Sequence, residues 1–80
     1  MKANVIVRLK SAVLDPQGKT IGNTLKQMAF DGVEEVRQGK FFELTLNAAS
    51  REEAEALARE VAEKVLSNPV LEVFDVEVIG

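Results

Sequence analysis

The side chains that most often carry acid–base and covalent chemistry near neutral pH are missing from this sequence: its 80 residues include no histidine and no cysteine. Histidine fills that role elsewhere because its proton comes on and off near pH 7. Ser11, Ser50 and Ser67 remain as nucleophile candidates, but a hydroxyl needs an adjacent base, and only lysine, a rarer substitute, is at hand. Phosphate binding through a glycine loop fails on spacing. Neither GxxxxGK[ST] nor GxGxxG occurs, and Gly18 and Gly22 fall inside a helical pattern rather than at its entry. Glu52, Glu53, Glu55, Glu60 and Glu63 are close in sequence, but their spacing puts most of them on the solvent side of one helix, a solvated face rather than a metal cluster. No catalytic, cofactor-binding or metal-ligating residue is therefore expected on this chain.

If the chain does no chemistry alone, its size says what it needs. Eighty residues form one domain, 1–80. Such a domain buries only about 60–65% of the surface its unfolded chain exposes, and no disulfide or zinc site reinforces the core. Association with copies of itself or with a partner is the common remaining source of stability. Hydrophobic residues at 46% and charged residues at 29% give a globular balance. A net charge of −3 supplies no basic field for nucleic acid or an anionic membrane. Without a signal-like or membrane-spanning apolar run, a soluble cytoplasmic domain is expected.

The elements follow from periodicity. Val5, Val7 and Leu9 alternate with Asn4, Ile6, Arg8 and Lys10, the pattern of a strand with one buried face. Asp15 is an N-cap and Pro16 suits the first helical position. The helix they open carries Ile21, Leu25, Met28 and Ala29 on one stripe, with Gly18 and Gly22 extending it, and Asp31-Gly32 is expected to end it. Val33–Gln38 reads as a second strand turning at Gln38-Gly39 into a third, with Phe42, Leu44 and Leu46 facing one way and Phe41, Glu43 and Thr45 the other. Ser50 and Glu53 form a capping box for a second helix whose buried stripe is Ala54, Leu57, Ala58, Val61 and Val65. Glu55–Arg59 and Glu60–Lys64 are i,i+4 pairs on its outer side. Asn68-Pro69 stops it, and Phe74, Val76 and Val78 face inward along the last strand.

The order β-α-β-β-α-β, with right-handed crossovers, predicts an α+β, ferredoxin-like split: a four-stranded antiparallel sheet with both helices on one face. The other face then carries Ile6, Arg8, Phe41, Glu43, Thr45, Val73, Asp75 and Glu77. Ile6, Phe41 and Val73 together would make a dimer or partner surface; separately they would be ordinary exposed hydrophobics. An RNA-recognition domain would need aromatics on both central strands and a positive field, and only Phe41 is present. A small-molecule-binding regulatory module of ferredoxin-like fold is the alternative that composition leaves open.

Three stretches are more specific than the fold. Val13-Leu14-Asp15-Pro16-Gln17-Gly18, Val36-Arg37-Gln38-Gly39-Lys40 and Leu66-Ser67-Asn68-Pro69-Val70-Leu71-Glu72 resemble the V-L-D-P-Q-G, V-R-x-G-K and L-x-N-P-V-[IL]-E runs of the PurS family. These are small subunits of phosphoribosylformylglycinamidine synthase, and the resemblance spans nearly the whole chain. It implies an accessory bridging subunit in purine biosynthesis. In the complete enzyme a synthetase subunit uses ATP and Mg to convert formylglycinamide ribonucleotide, and a glutaminase subunit supplies ammonia. The small subunit associates with itself, as a dimer or tetramer, and holds the other two together. On that resemblance Asp15, Pro16, Gln17, Gly18, Arg37, Gly39 and Lys40 are candidate partner contacts. Their other reading is local: a helix start for the first four, and a soluble hairpin tip for Arg37 and Lys40. Ile6, Arg8, Phe41, Glu43 and Val73 are candidates for a dimer or partner contact on the open sheet face.

Overall fold

The computed structural model describes residues Met1–Gly80. The elements run β1 (Lys2–Leu9), α1 (Pro16–Gln27), β2 (Gly39–Thr45), α2 (Arg51–Val61, continued by a π-turn over Ala62–Leu66) and β3 (Glu72–Val78). β1 is central and antiparallel to both neighbours, in the order β2-β1-β3. In this register Ala3 lies between Leu44 and Val78, Val5 between Phe42 and Val76, and Val7 between Lys40 and Phe74. The side-chain period of two makes these residues one apolar face. Ala3, Val5 and Val7 are fully buried beneath α2.

β2 and β3, each antiparallel to β1, run parallel to one another with β1 between them. Their connection must cross the sheet, and α2 makes that crossing. It approaches on Ala54, Ala58 and Ala62, all fully buried, where small side chains let the helix backbone come close to β1. Ser50 caps it as expected, accepting from the Glu53 amide at 3.2 Å, while the Glu53 carboxylate accepts from the Ala49 amide at 3.0 Å. Glu55–Arg59 and Glu60–Lys64 pair at 3.2 and 3.3 Å. The expected stripe is corrected at two positions: Leu57 and Val65 are both exposed, and Ala62 is buried with Ala54 and Ala58 instead. The Ser67 amide and hydroxyl both donate to the Ala62 carbonyl, the i→i−5 closure of the π-turn. This wider turn brings Leu66 onto Val5 and Val7.

The first half of the chain departs from expectation. Val33–Gln38 is a connector rather than a strand, so the sheet has three strands and no hairpin turns at Gln38-Gly39. Nor do both helices share a face, because no α1 side chain enters the core. The topology explains this. Antiparallel β1 and β2 leave and re-enter the sheet at the same end, so the excursion between them never has to cross it. α1 extends beyond that end as an arm. The molecule measures 50 × 26 × 13 Å with a radius of gyration of 15.9 Å, against about 12 Å for a compact domain of this length.

α1 also ends earlier than Asp31-Gly32. Its cap is a Schellman motif in which the Phe30 amide donates to the Leu25 carbonyl and the Ala29 amide to the Lys26 carbonyl. Ala29 occupies the left-handed position at φ 65°, where a Cβ is unfavourable. Ala29→Gly is expected to raise stability by about 1 kcal/mol, read as a higher urea midpoint with unchanged slope.

Candidate partner-binding site

The three motif stretches meet where the arm joins the sheet. Asp15, 6% exposed, is an N-cap with two customers. One carboxylate oxygen accepts from the Gly18 amide at 2.8 Å inside α1. The other accepts from the Gln38 amide at 2.7 Å in the connector. Gln38 returns a second bond, its Nε2 donating to Gln17 Oε1 at 2.8 Å. Arg37 donates to the Lys10 carbonyl at 3.1 Å, and the Lys10 amide donates to the Leu71 carbonyl at 2.9 Å. Lys40 Nζ pairs with Glu72 at 3.4 Å, and Glu72 also accepts from the Asn68 amide at 2.7 Å. The Asn68 side chain holds the Val70 amide, closing the turn before β3. Gln38 and Glu72 complete this node and were not among the candidates named above. Gln38 lay in an expected turn, where its main-chain donor gave no signal.

Much of the candidate partner set therefore has work within the chain. Asp15 and Gly18 are buried, Gln17 and Arg37 are engaged with neighbours, and Lys40 lies on β2 rather than at a hairpin tip. Pro16 starts α1 as expected. Gly39 is required by a close approach, because a Cβ there would stand 2.6 Å from the Val7 carbonyl oxygen.

The two backbone amides, Gln38 first and then Gly18, hold the Asp15 carboxyl below its ordinary value of 3.8, and the Arg37 charge adds to this; burial opposes it. A lowered folded pKa contributes stability that is present above the ordinary value and is lost as pH falls through the folded one. The Gly18 and Gln38 amide resonances are expected to titrate together with a midpoint below 3.8, and both amides to exchange faster in Asp15→Ala. Independent titration of the two would break the clasp into unrelated contacts.

On the open sheet face the expected residues do come together. Ile6 stands directly opposite Phe41, and Arg8 opposite Val73. Phe41 is 57% exposed, and Ile6 and Val73 43% each. Charges rim them: Arg8 bonds Asp75 at 2.6 Å, and Glu43 and Glu77 flank Asn4. An apolar centre inside a polar rim is the usual anatomy of a protein–protein contact.

The clefts favour the same reading. The largest of four, about 610 Å³, lies between Arg8, Lys10, Ser11, Arg37, Gln38 and Val73, with Leu9 and Val73 its only hydrophobic lining. A second, about 270 Å³, runs between α1 and the connector past Lys19, Lys26, Glu34 and Glu35. Small-molecule sites are mostly apolar and enclose their ligand. These two are open, charged grooves, and a third, about 450 Å³ beside Pro16, Thr20 and Ile21, is wide open to solvent.

Comparison with known proteins agrees with the motif reading. The family model for PurS, phosphoribosylformylglycinamidine (FGAM) synthase, matches residues 2–80. The phosphoribosylformylglycinamidine synthase subunit PurS of Bacillus subtilis is 42% identical over 77 residues, 96% of this chain and 90% of that protein. A crystal structure of B. subtilis PurS superposes with a TM-score of 0.88 at 40% identity, covering 99% of this chain and 98% of that one. That span includes the α1 arm. A chain of the Thermotoga maritima PurLQS structure superposes with a TM-score of 0.87 at 33% identity, covering 95% and 93%. The chain belongs to the PurS family of phosphoribosylformylglycinamidine synthase subunits.

Proposed function

We propose that this chain is the small, non-catalytic subunit of a glutamine-dependent phosphoribosylformylglycinamidine synthase in purine biosynthesis, and that it bridges a synthetase and a glutaminase subunit. The single observation that carries this reading is its end-to-end likeness to a chain of a PurLQS structure. The surface supports it: an elongated 50 Å body offers separate apolar regions on the arm and on the open sheet face. The four-stranded arrangement expected of one chain is, on this reading, completed only by association with further chains. ATP, Mg and the ribonucleotide would be held by the synthetase subunit. The chain's own part is positional, since ammonia that leaks or is protonated between two active sites is lost, and holding those sites together excludes water and competing reactions. No helix is long and apolar enough to cross a membrane, which suits the cytoplasmic setting proposed for the complex.

Reconstitution tests this directly. Mixing candidate synthetase and glutaminase subunits with this chain should give glutamine-dependent product that is lost when the chain is omitted, while added ammonia should support synthesis either way. Equal glutamine-dependent rates without the chain would remove the bridging role.

A further inference from the structure

Positive charge gathers at one place on an otherwise acidic chain. The cleft where β1 leaves the sheet is lined by Arg8, Lys10 and Arg37 against one carboxylate, Glu35, whereas the whole chain carries a net charge of −3. Of the three cations only Arg8 has a carboxylate partner, Asp75 at 2.6 Å. Arg37 spends one nitrogen on the Lys10 carbonyl at 3.1 Å. That bond orders a planar group whose other N–H donors are left for an acceptor outside the chain. The Lys10 ammonium, which also lines the cleft, is equally unpaired. Asp15 feels the Arg37 charge, but it is buried and both its oxygens are held by the Gly18 and Gln38 amides.

An ordered guanidinium beside a free ammonium is a receptor for oxyanions, and a carboxylate matches the guanidinium fork with two parallel bonds. A small molecule needs most of its surface enclosed, and this cleft is open along its length. A protein segment needs no such enclosure. Arg8 and Val73 belong both to the cleft and to the open sheet face that carries Ile6 and Phe41. A protein seated on that face therefore continues into the cleft without a break. A nucleic acid is disfavoured, because the net negative charge of the chain repels an extended polyanion. We propose that the cleft receives an acidic stretch of a larger subunit, with carboxylates bound by Arg37 and Lys10. The assignment rests on reading the chain as a bridging subunit, and it adds the chemistry of the surface that the chain meets.

Lys10→Glu is the test, because the Lys10 side chain is exposed and unpaired, whereas Arg37 also supports the joint through the Lys10 carbonyl. The enzyme is reconstituted from synthetase, glutaminase and this chain. Close ion pairs across an interface change affinity by about tenfold or more. The variant should therefore need about tenfold more chain for half-maximal glutamine-dependent synthesis, with ammonia-driven synthesis unchanged. Added salt should narrow that gap, since charges in an open groove are screened. Lys64→Glu makes the same charge change on the continuation of α2 and should have little effect. Equal half-maximal concentrations for Lys10→Glu and wild type, or a gap no larger than that of Lys64→Glu, would overturn the proposal. So would saturable shifts of the Lys10, Ser11 and Gly39 amides when ATP is added to the isolated ¹⁵N-labelled chain, which would make the cleft a phosphate site. A lower sedimentation mass of isolated Lys10→Glu would overturn it too, by giving the cleft to a second copy. Any of these results leaves the bridging role standing while synthesis still requires the chain; glutamine-dependent rates that ignore the chain remove both.

Discussion

Replacing Gly18 with alanine is expected to lower the stability of this chain by about 2 kcal/mol, although the position is helical and alanine favours helices. Intrinsic propensity alone would gain about 1 kcal/mol. Against it, a Cβ at Gly18 would stand 2.3 Å from the Val36 carbonyl oxygen and 2.7 Å from an Asp15 carboxylate oxygen. The first obstacle is backbone, so no rotamer change relieves it. Overpacking of this kind costs about 3 kcal/mol, and the connector must move away from α1 to make room. The Gln38 amide then leaves Asp15. A domain of this length has a total stability of about 4–12 kcal/mol, so the loss is a large part of it. Urea denaturation gives the size, and the chemical shift of the Gln38 amide shows whether the clasp opened. A rise in midpoint would mean that helix propensity outweighs the packing of α1 on Val36. Gly22→Ala is the matched control: its Cβ would meet only a Val36 methyl at 3.8 Å, so propensity should dominate and the midpoint should rise.

That contrast shows what could and could not be read in the sequence. Most inward and outward residues of the three strands were legible, Ala3 and Lys40 excepted, because a period of two fixes the face once one residue is known to be buried. That Ile6, Arg8, Phe41 and Val73 share one face followed from pattern, and the register then sets Ile6 opposite Phe41 and Arg8 opposite Val73. The caps at Asp15 and Ser50 were legible for the same local reason. The fourth strand was not, because Val33 and Val36 are spaced by three and the segment is tied down by a side chain 23 residues away. The place of α1 was also hidden. Its stripe announces a buried face, and periodicity cannot say whose surface buries it. The π-turn that exposes Val65 and buries Ala62 has no residue signature here; it follows from Leu66 reaching Val5 and Val7. Of the candidate contacts, the motif residues became the joint that aims the arm, and the open-face residues stay at the surface, Arg8 paired there with Asp75.

The largest effect on function is expected from Phe41→Glu. Phe41 is more than half exposed and contributes nothing to either core cluster, so its loss should leave the urea midpoint nearly unchanged. At the centre of a contact the same side chain matters far more, since aromatic anchors surrounded by a polar rim carry at least about 2 kcal/mol of association. That is about 30-fold in affinity. A glutamate there also faces like charge, because Glu43 is the next residue on the same face of β2, and repulsion would hold the partner off. In the reconstituted enzyme, the concentration of this chain needed for half-maximal glutamine-dependent synthesis should therefore rise about 30-fold, with ammonia-driven synthesis unchanged. Ile6→Glu should act in the same direction, whereas Thr45→Glu, nearer the far end of β2, should act weakly. If Phe41→Glu leaves assembly intact and Ile21→Asp abolishes it, the arm rather than the open sheet face is where the larger subunits are held.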